Sequence, residues 1–386
     1  MNGQILYLLS AYPNWSETFL RQDLKLLLNE GTPVLPAALR PGNCNPAADW
    51  PAVTLLESEA ASDWTRNGAT HPRRHRIPRA LRPTVTRLHY RRLSNRLRKL
   101  CRDHGVRHIH AEFADAAAVL AKSAARRLSL SFSCGLHARD VFCCKYALHS
   151  LLRGAAFVTV CNHCAARHLR SSVPELGETL HVIPHGVDLQ HWPYRAARPT
   201  APRLTLLFAG RLVPKKGLDV LLRALGEFIQ APNPELVIAG RGPALTALRE
   251  EATRLKIADH LRWEGLVGRE RLRALMLRAH MLVVPSVVDA DGDRDGIPNV
   301  ILEALATGLP VVATDAGSIP EVVTPRTGWP VSQRAPEELA AAIDCVAEHP
   351  GEARERSRAG RQSVETRFDA HRLARRRAEL LRSALS

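Results

Sequence analysis

The run Met281–Glu321, MLVVPSVVDADGDRDGIPNVILEALATGLPVVATDAGSIPE, constrains the fold of this 386-residue chain more than any other stretch. Its opening block, Met281–Pro285, is apolar and short enough for a buried strand. A polar, acidic loop follows, and Asn299–Thr307 then carries apolar residues at helical spacing. Gly308 ends that helix, and Pro310–Ala313 supplies a second apolar block. Strand, loop, helix, strand is the grammar of a parallel βαβ unit. The loop therefore sits at the carboxyl end of a strand and runs into a helix amino terminus, where open α/β sheets bind ligands and free N–H groups favour anions.

That geometry places two carboxylates. Asp295 precedes the turn Gly296-Ile297-Pro298, and Glu303 lies early in the helix. Carboxylates accept hydrogen bonds from paired hydroxyls, so such a pair suits a sugar or a ribose. The spacing serves equally for Asp295 as a helix cap and Glu303 as part of a solvated face. A calcium loop is the other reading of Asp291, Asp293, Asp295 and Gly296. Its twelfth position, however, falls on Leu302 instead of a bidentate glutamate.

A second ligand loop opens the same half of the chain. Leu204–Phe208 reads as a strand and runs into Ala209-Gly-Arg-Leu-Val-Pro-Lys-Lys-Gly217, a basic loop bounded by glycines. Gly210 and Gly217 let backbone approach a ligand; Arg211 can grip phosphate with a planar fork and Lys216 as a point charge. The spacing is not that of a P-loop, which disfavours ATP hydrolysis. Leu236–Ala239 is a further strand, ending in the close turn Gly240-Arg-Gly242-Pro, and Leu261–Trp263 is another.

The run from Asp295 through Glu303 to Thr314, closed by Gly317-Ser-Ile-Pro-Glu321, resembles the signature of the retaining, GT-B-fold nucleotide-sugar glycosyltransferases of family four, with two acids separated by seven residues. The chain departs from it in carrying Asp295 where the family has glutamate. The resemblance implies an α/β architecture of two doubly wound, Rossmann-like parallel-sheet domains facing a cleft. It also implies retention of anomeric configuration by front-face departure and attack, and no required cofactor or metal. Carried over by position, Glu303 binds the donor ribose, Asp295 with Gly296, Ile297, Pro298 and Asn299 binds the sugar, and Gly240 and Gly242 lie near the nucleotide. Arg211 and Lys216 match a diphosphate clamp, where two fixed cations stabilise a departing diphosphate. The donor is expected to be a UDP-, GDP- or ADP-sugar. Relatives of the exopolysaccharide and colanic-acid type point to a glycan or polyisoprenoid-linked acceptor.

The first half is less marked. Gln4–Leu9 reads as a strand, and Ser16 is a plausible cap for a helix through Leu28. Residues 41–70, with little periodicity, read as a long loop. Ile109–Phe113 ends another strand before an alanine-rich helix, and Ser129–Cys134 leads to Gly135-Leu-His-Ala-Arg-Asp140. A histidine at a strand end can be structural or can bond a sugar. The resemblance makes His137 an active-site residue near the transferred sugar, alongside Asp295, Arg211 and Lys216. It makes Glu17, Thr18, His110 and Arg139 acceptor contacts, and Glu112 stands where the family's His-x-His-Phe element has its second histidine. Pro184–Asp188 resembles the turn before the family's linker. The boundaries expected are an acceptor-binding domain over 1–195, a nucleotide-sugar domain over 203–365, and a final helix, 366–386, returning to the first domain.

Composition narrows the remaining classes. An apolar content of 45% with 24% charged residues is that of a globular chain, and no apolar run approaches the roughly 20 residues that span a bilayer. Met1–Leu9 lacks a basic leader and reads as a first strand, so a cytoplasmic protein is expected, peripheral on the inner face of the cell membrane. Eight cysteines are too sparse for a disulfide framework, and Cys161-Asn-His-Cys164 with His168 is only part of a zinc set. The formal charge of +16 is concentrated in residues 73–107, where thirteen Lys and Arg face only Asp103. Leu81, Val85, Leu88, Leu93, Leu97 and Leu100 recur there near helical spacing. This fits a basic helix on an anionic membrane surface, or one whose leucines face the core. Nucleic acid is not expected as a partner, because Tyr90 is the lone aromatic of the stretch. A sugar-nucleotide epimerase is the alternative enzyme, and a basic nucleic-acid- or membrane-binding protein the alternative class.

Overall fold

The computed structural model describes residues 3–15, 17–44, 50–57, 82–143, 147–195, 203–229 and 234–385, with 82–86 described by backbone alone. Ser16, Cys144, the basic residues at 73, 74, 76 and 79, Leu81, and parts of the expected loop (45–49, 58–70) and linker (196–202) lie outside the described residues. Two compact units emerge. One is Met1–Val160 with Ala166–Ile183 and Ala374–Ser386, and the other is Cys161–Ala165 with Pro184–Leu373.

The first unit holds β1 (Gln4–Tyr12), β2 (Val34–Pro41), β3 (Thr54–Leu55), β4 (Val106–Glu112), β5 (Ser131–Leu136), β6 (Phe157–Val160) and β7 (Leu180–Val182). They form a sheet in the order β3-β2-β1-β4-β5-β6-β7, with parallel pairing throughout. Five consecutive β1 residues, Ile5–Leu9, are fully buried, as a parallel strand covered on both faces must be. Ile5, Tyr7 and Leu9 share one apolar cluster with Leu20, Leu24 and Leu27 of the helix Thr18–Asn29 and with Ala378 and Leu381 of the last helix, Ala370–Ser383. Arg377 of that last helix also reaches the buried Asp23 carboxylate.

Strand β2 is absent from the sequence expectation because Pro36 and Pro41 break the pattern. They are tolerated because β3 pairs only with Ala37 and Ala38, leaving the proline positions on an open edge. The stretch expected as a loop from 41 thus contains a short strand.

The second unit holds β8 (Thr205–Ala209), β9 (Glu235–Ala239), β10 (Leu261–Gly265), β11 (Met281–Val284), β12 (Val311–Thr314) and β13 (Trp329–Val331), in the parallel order β10-β9-β8-β11-β12-β13. Alternation assigns each strand's residues to opposite layers. Leu206, Phe208, Leu236, Ile238, Met281 and Val283 enter one cluster, while Leu207, Val237, Ala239, Leu282 and Val284 enter the other.

The basic segment forms the helix Arg82–Asp103. Leu93, Leu97 and Cys101, four residues apart, are buried, so these leucines face the core and not a membrane. Leu88 and Tyr90 remain exposed beside exposed Arg87, Arg91 and Arg92. No helix among the described residues is long and apolar enough to cross a membrane.

Candidate functional site

In each sheet the connections reverse direction once, between β1 and β4 and between β8 and β11. Ligands of open α/β sheets bind outside the carboxyl ends of strands at such a switch point. In the second unit these ends carry the loop Gly210–Gly217 after β8 and the loop Pro285–Pro298 after β11, the two loops expected from sequence to carry chemistry.

Their charged side chains meet. Lys216 Nζ lies 2.8 Å from Asp295 Oδ2, which also accepts from Ser286 Oγ at 2.7 Å. Lys215, itself buried, pairs with Asp293 at 3.0 Å and stands 3.9 Å from Asp295 Oδ1. Burial alone would raise the Asp295 carboxyl, but Lys216, Lys215 and the Ser286 hydroxyl outweigh it and hold the group below its usual range. Two acids of the calcium-like run, Asp293 and Asp295, are thus paired with lysines of the same unit, and Leu302, at its twelfth position, lies in the core.

Beyond the turn Gly296-Ile297-Pro298, the helix Asn299–Thr307 begins with Pro298 at its cap position and no capping side chain. Its first amides therefore lack the internal partner a cap would give. Glu303 sits one turn in and is partly buried. Burial pushes its carboxyl up to about 7, against a weaker pull from Arg269 of the helix Arg269–Arg278. Arg211 is exposed at the end of β8.

The glycines bring loops of this unit onto one another. A Cβ on Gly240 would stand 1.9 Å from the Gly210 carbonyl oxygen. Gly217 adopts φ +61°, and its Cβ would meet the Pro285 carbonyl at 1.9 Å. Gly210 and Gly217 are expected from sequence to let a ligand approach; the structure shows that Gly217 and Gly240 first serve the approach of one loop to the next. Gly242 is packed in the same way against Leu212.

In the first unit, His137 caps the short helix Ala138–Phe142, and its amide donates to Asp140 at 2.9 Å. Burial pushes the Asp140 carboxyl up to about 6, opposed by the His137 charge and amide. The His137 ring packs against both Phe113 and Phe19, with centroids 4.4 and 5.0 Å away. Phe113 holds φ +74°, a left-handed conformation costly for a bulky residue and characteristic of functional sites.

His137 Nε2 stands 2.7 Å from Glu112 Oε1. The other oxygen of Glu112 accepts from Tyr7 at 2.5 Å and faces His110 Nε2 at 3.1 Å. Behind His110, Ser133 bridges to His108 at 2.7 and 2.6 Å, and Ser131 follows at 2.7 Å. Ser131 in turn donates to the Ala384 carbonyl after the last helix at 3.0 Å. His110, expected as an acceptor contact, is fully buried between Tyr7 and Phe157, and has no surface to offer an acceptor. Its position two residues before the strand end points it into the sheet face under the last helix.

Thr18 and Arg139 are exposed, and Glu17 is partly exposed with its carboxylate accepting from Asn14 at 2.9 Å. The sequence reading passes over Lys215, Ser286 and Tyr7. For Lys215 a signal existed, a second lysine in the same loop; for Ser286 and Tyr7 there was none.

Comparison with known proteins bears on the same regions. Residues 195–363 match the family model described as glycosyl transferases group 1. A glycogen synthase of Mycobacterium tuberculosis is 34% identical over 198 residues, 51% of this chain and 46% of that protein. A putative colanic acid biosynthesis glycosyltransferase of Escherichia coli is 31% identical over 190 residues, 49% of this chain and 46% of that one. The chain thus spans about half the length of the curated relatives it matches. Among solved structures, a sucrose-phosphate synthase of Thermosynechococcus elongatus aligns over 98% of both chains with a TM-score of 0.75 at 19% identity. Anabaena HepE, solved in complex with UDP, aligns over 98% of this chain and 100% of that one, with a TM-score of 0.73 at 18% identity. At these identities the likeness is one of fold, and the fold is GT-B.

Proposed function

Since the chain belongs to the group 1 glycosyl transferases through residues 195–363, we propose that it moves a sugar from a nucleotide-sugar donor to a glycan or polyisoprenoid-linked acceptor, with retention of configuration and without a metal. The observation that carries this reading is the meeting of Lys216, Asp295 and Ser286 at the switch point of the second sheet, beside an uncapped helix amino terminus and Glu303. Cations, free amides and acids gathered there suit the three parts of such a donor: diphosphate, sugar hydroxyls and ribose.

In this reading Arg211 and Lys216 hold the diphosphate. Lys216 is paired with Asp295, so a diphosphate bound there shares the ammonium with that carboxylate. Asp295 accepts from sugar hydroxyls, and the amides after Gly296 donate to the sugar. Glu303 accepts from the ribose. Gly240 and Gly242 keep the neighbouring loop low enough for the nucleotide. As the glycosidic bond to the diphosphate breaks, both cations stabilise the charge that develops on the leaving oxygens. His137 contacts the transferred sugar, while Glu17, Thr18 and Arg139 serve the acceptor. Cytoplasmic residence, with the exposed face of the basic helix on an anionic membrane, fits an acceptor carried by lipid.

A thermal-shift screen across UDP-, GDP- and ADP-sugars identifies the donor, because a ligand that binds only the folded state raises its stability. With that donor, Arg211→Ala and Lys216→Ala each lower kcat on the order of 100-fold, the cost of one lost transition-state contact. Near-normal transfer by both variants defeats the clamp. Incubation without acceptor separates the epimerase alternative, which would yield an isomeric nucleotide-sugar.

A further inference from the structure

Glu112 lies at the end of β4 where three side chains converge on one buried carboxylate: Tyr7 from β1, His110 two residues earlier on β4, and His137 from the turn after β5. Strand β5 is shaped to admit it. Gly135 is the residue paired with Glu112 across the sheet, and a Cβ there would stand 2.7 Å from Glu112 Oε1. The carboxylate therefore occupies a cradle that only glycine leaves open.

We propose that Glu112 is the positioning residue of His137: it holds the imidazole as the Nε2–H tautomer and fixes the ring against Phe19 and Phe113. This rests on the reading of His137 as a residue that contacts the transferred sugar.

The donor and acceptor count leads to that tautomer. Burial would raise the Glu112 carboxyl, but hydrogen bonds from His110 and His137 and their charge hold it well below its usual range, so it is ionised at neutral pH. An ionised carboxylate only accepts. Tyr7, whose phenol burial and the Glu112 charge keep protonated, must donate to it. The two imidazoles must also turn N–H groups toward it. His108, which burial pushes down to about 3, is neutral. Behind Glu112, His110 Nε2–H meets the carboxylate, His110 Nδ1 and His108 Nε2 share the Ser133 hydroxyl, and His108 Nδ1 faces Ser131, whose own proton goes to the Ala384 carbonyl. This chain braces the carboxylate through Oε2, while His137 meets Oε1. In the neutral His137 ring the lone pair then lies on Nδ1, and that nitrogen is an acceptor. Such partners of a working imidazole set its tautomer and orientation, and their loss costs activity on the order of 10–100-fold.

The wild-type protein supplies the first test. Nitrogen-15 NMR of histidine-labelled protein, with the His137 signal identified by its loss in His137→Gln, is expected to show Nε2–H in the neutral ring. Nδ1–H there overturns the proposal and requires no variant of Glu112. In Glu112→Gln the tautomer preference is expected to be lost and kcat to fall roughly 10–100-fold, with KM for the donor unchanged within about twofold. In a His137→Ala background the same change should cost less than about twofold, since residues acting through one another are non-additive. A full additive loss in that background shows Glu112 acting elsewhere and also overturns the proposal. If His137→Ala by itself leaves transfer intact, the role given to His137 fails, and the tautomer signals still decide what Glu112 does to the ring.

Discussion

Replacing Glu303 by glutamine should make the protein more stable and a worse binder of its donor. Burial lifts this carboxyl to about 7 from an ordinary 4.5, and Arg269 only partly opposes the shift. A gap of about 2.5 in pKa, at about 1.4 kcal/mol for each factor of ten, sets a ceiling of about 3 kcal/mol on carrying the ionised group in the folded unit. The side chain is partly open to water, and screening reduces this to roughly 1–2 kcal/mol. The folded pKa is raised, so this contribution to stability is fully present below about 4.5 and is lost as pH rises through about 7. Glutamine does not titrate. The variant should therefore match or trail wild type at pH 4.5 and gain roughly 1–2 kcal/mol by pH 8, or roughly 2–8 °C in Tm for a unit of this size. Denaturation of both proteins without nucleotide across that range measures it, and curves that stay parallel refute the electrostatic argument. If Glu303 accepts from the ribose, the more stable variant should also bind the donor on the order of tenfold more weakly, since a hydrogen bond to a charged group contributes roughly 1.5–3 kcal/mol. Wild-type affinity should itself weaken as pH falls below about 7. Higher stability with unchanged affinity would remove Glu303 from the donor site while leaving the burial argument standing.

Two further outcomes follow from charge placement. Lys215→Met leaves Asp293 buried without its 3.0 Å partner and should cost roughly 3–5 kcal/mol. Combined with Asp293→Leu much of that should return, and a double variant as unstable as the single one would show that the ion pair is not the cause. On the basic helix, Arg96 is engaged with the Leu56 carbonyl and Arg98 with Asn95, so the exposed Leu88, Arg91 and Arg92 are the residues to change. Leu88→Asp with Arg91→Glu and Arg92→Glu should weaken sedimentation with anionic liposomes tenfold or more, at roughly 1 kcal/mol per basic residue; unchanged sedimentation rejects that surface.

What could be read from the sequence was local in sequence. The unit from Met281 to Glu321 contains its own strands, loop and helix, so one stretch specified the position of Asp295, the turn and Glu303 together. Strands β8 and β11 announced themselves as apolar blocks because both faces of a parallel sheet are covered. Where a rule of composition met an exception in pairing, the reading failed. Strand β2 carries two prolines that its short neighbour β3 does not pair with. Leu93 and Leu97 were indistinguishable by period from Leu88, and only the packing of the helix showed which side faced the core.

The polar cluster of the first unit marks a different limit. Tyr7 and Glu112 are 105 positions apart, and Glu112 and His137 are 25 apart. No periodicity links them, and each alone reads as a strand residue. The parallel register sets His110 beside Tyr7 on one side and Ser133 on the other, and Glu112 beside Gly135. A departure from the pattern of related chains was visible at Glu112, but its meaning was not, because a carboxylate in a sheet is interpretable only once its donors are counted. Three donors to one acceptor group make a consistent network. A histidine at the same position would bring another donor and no anion for Tyr7, His110 and His137 to share. The substitution that looks like a loss of a family residue is therefore, in physical terms, the element that orders the others.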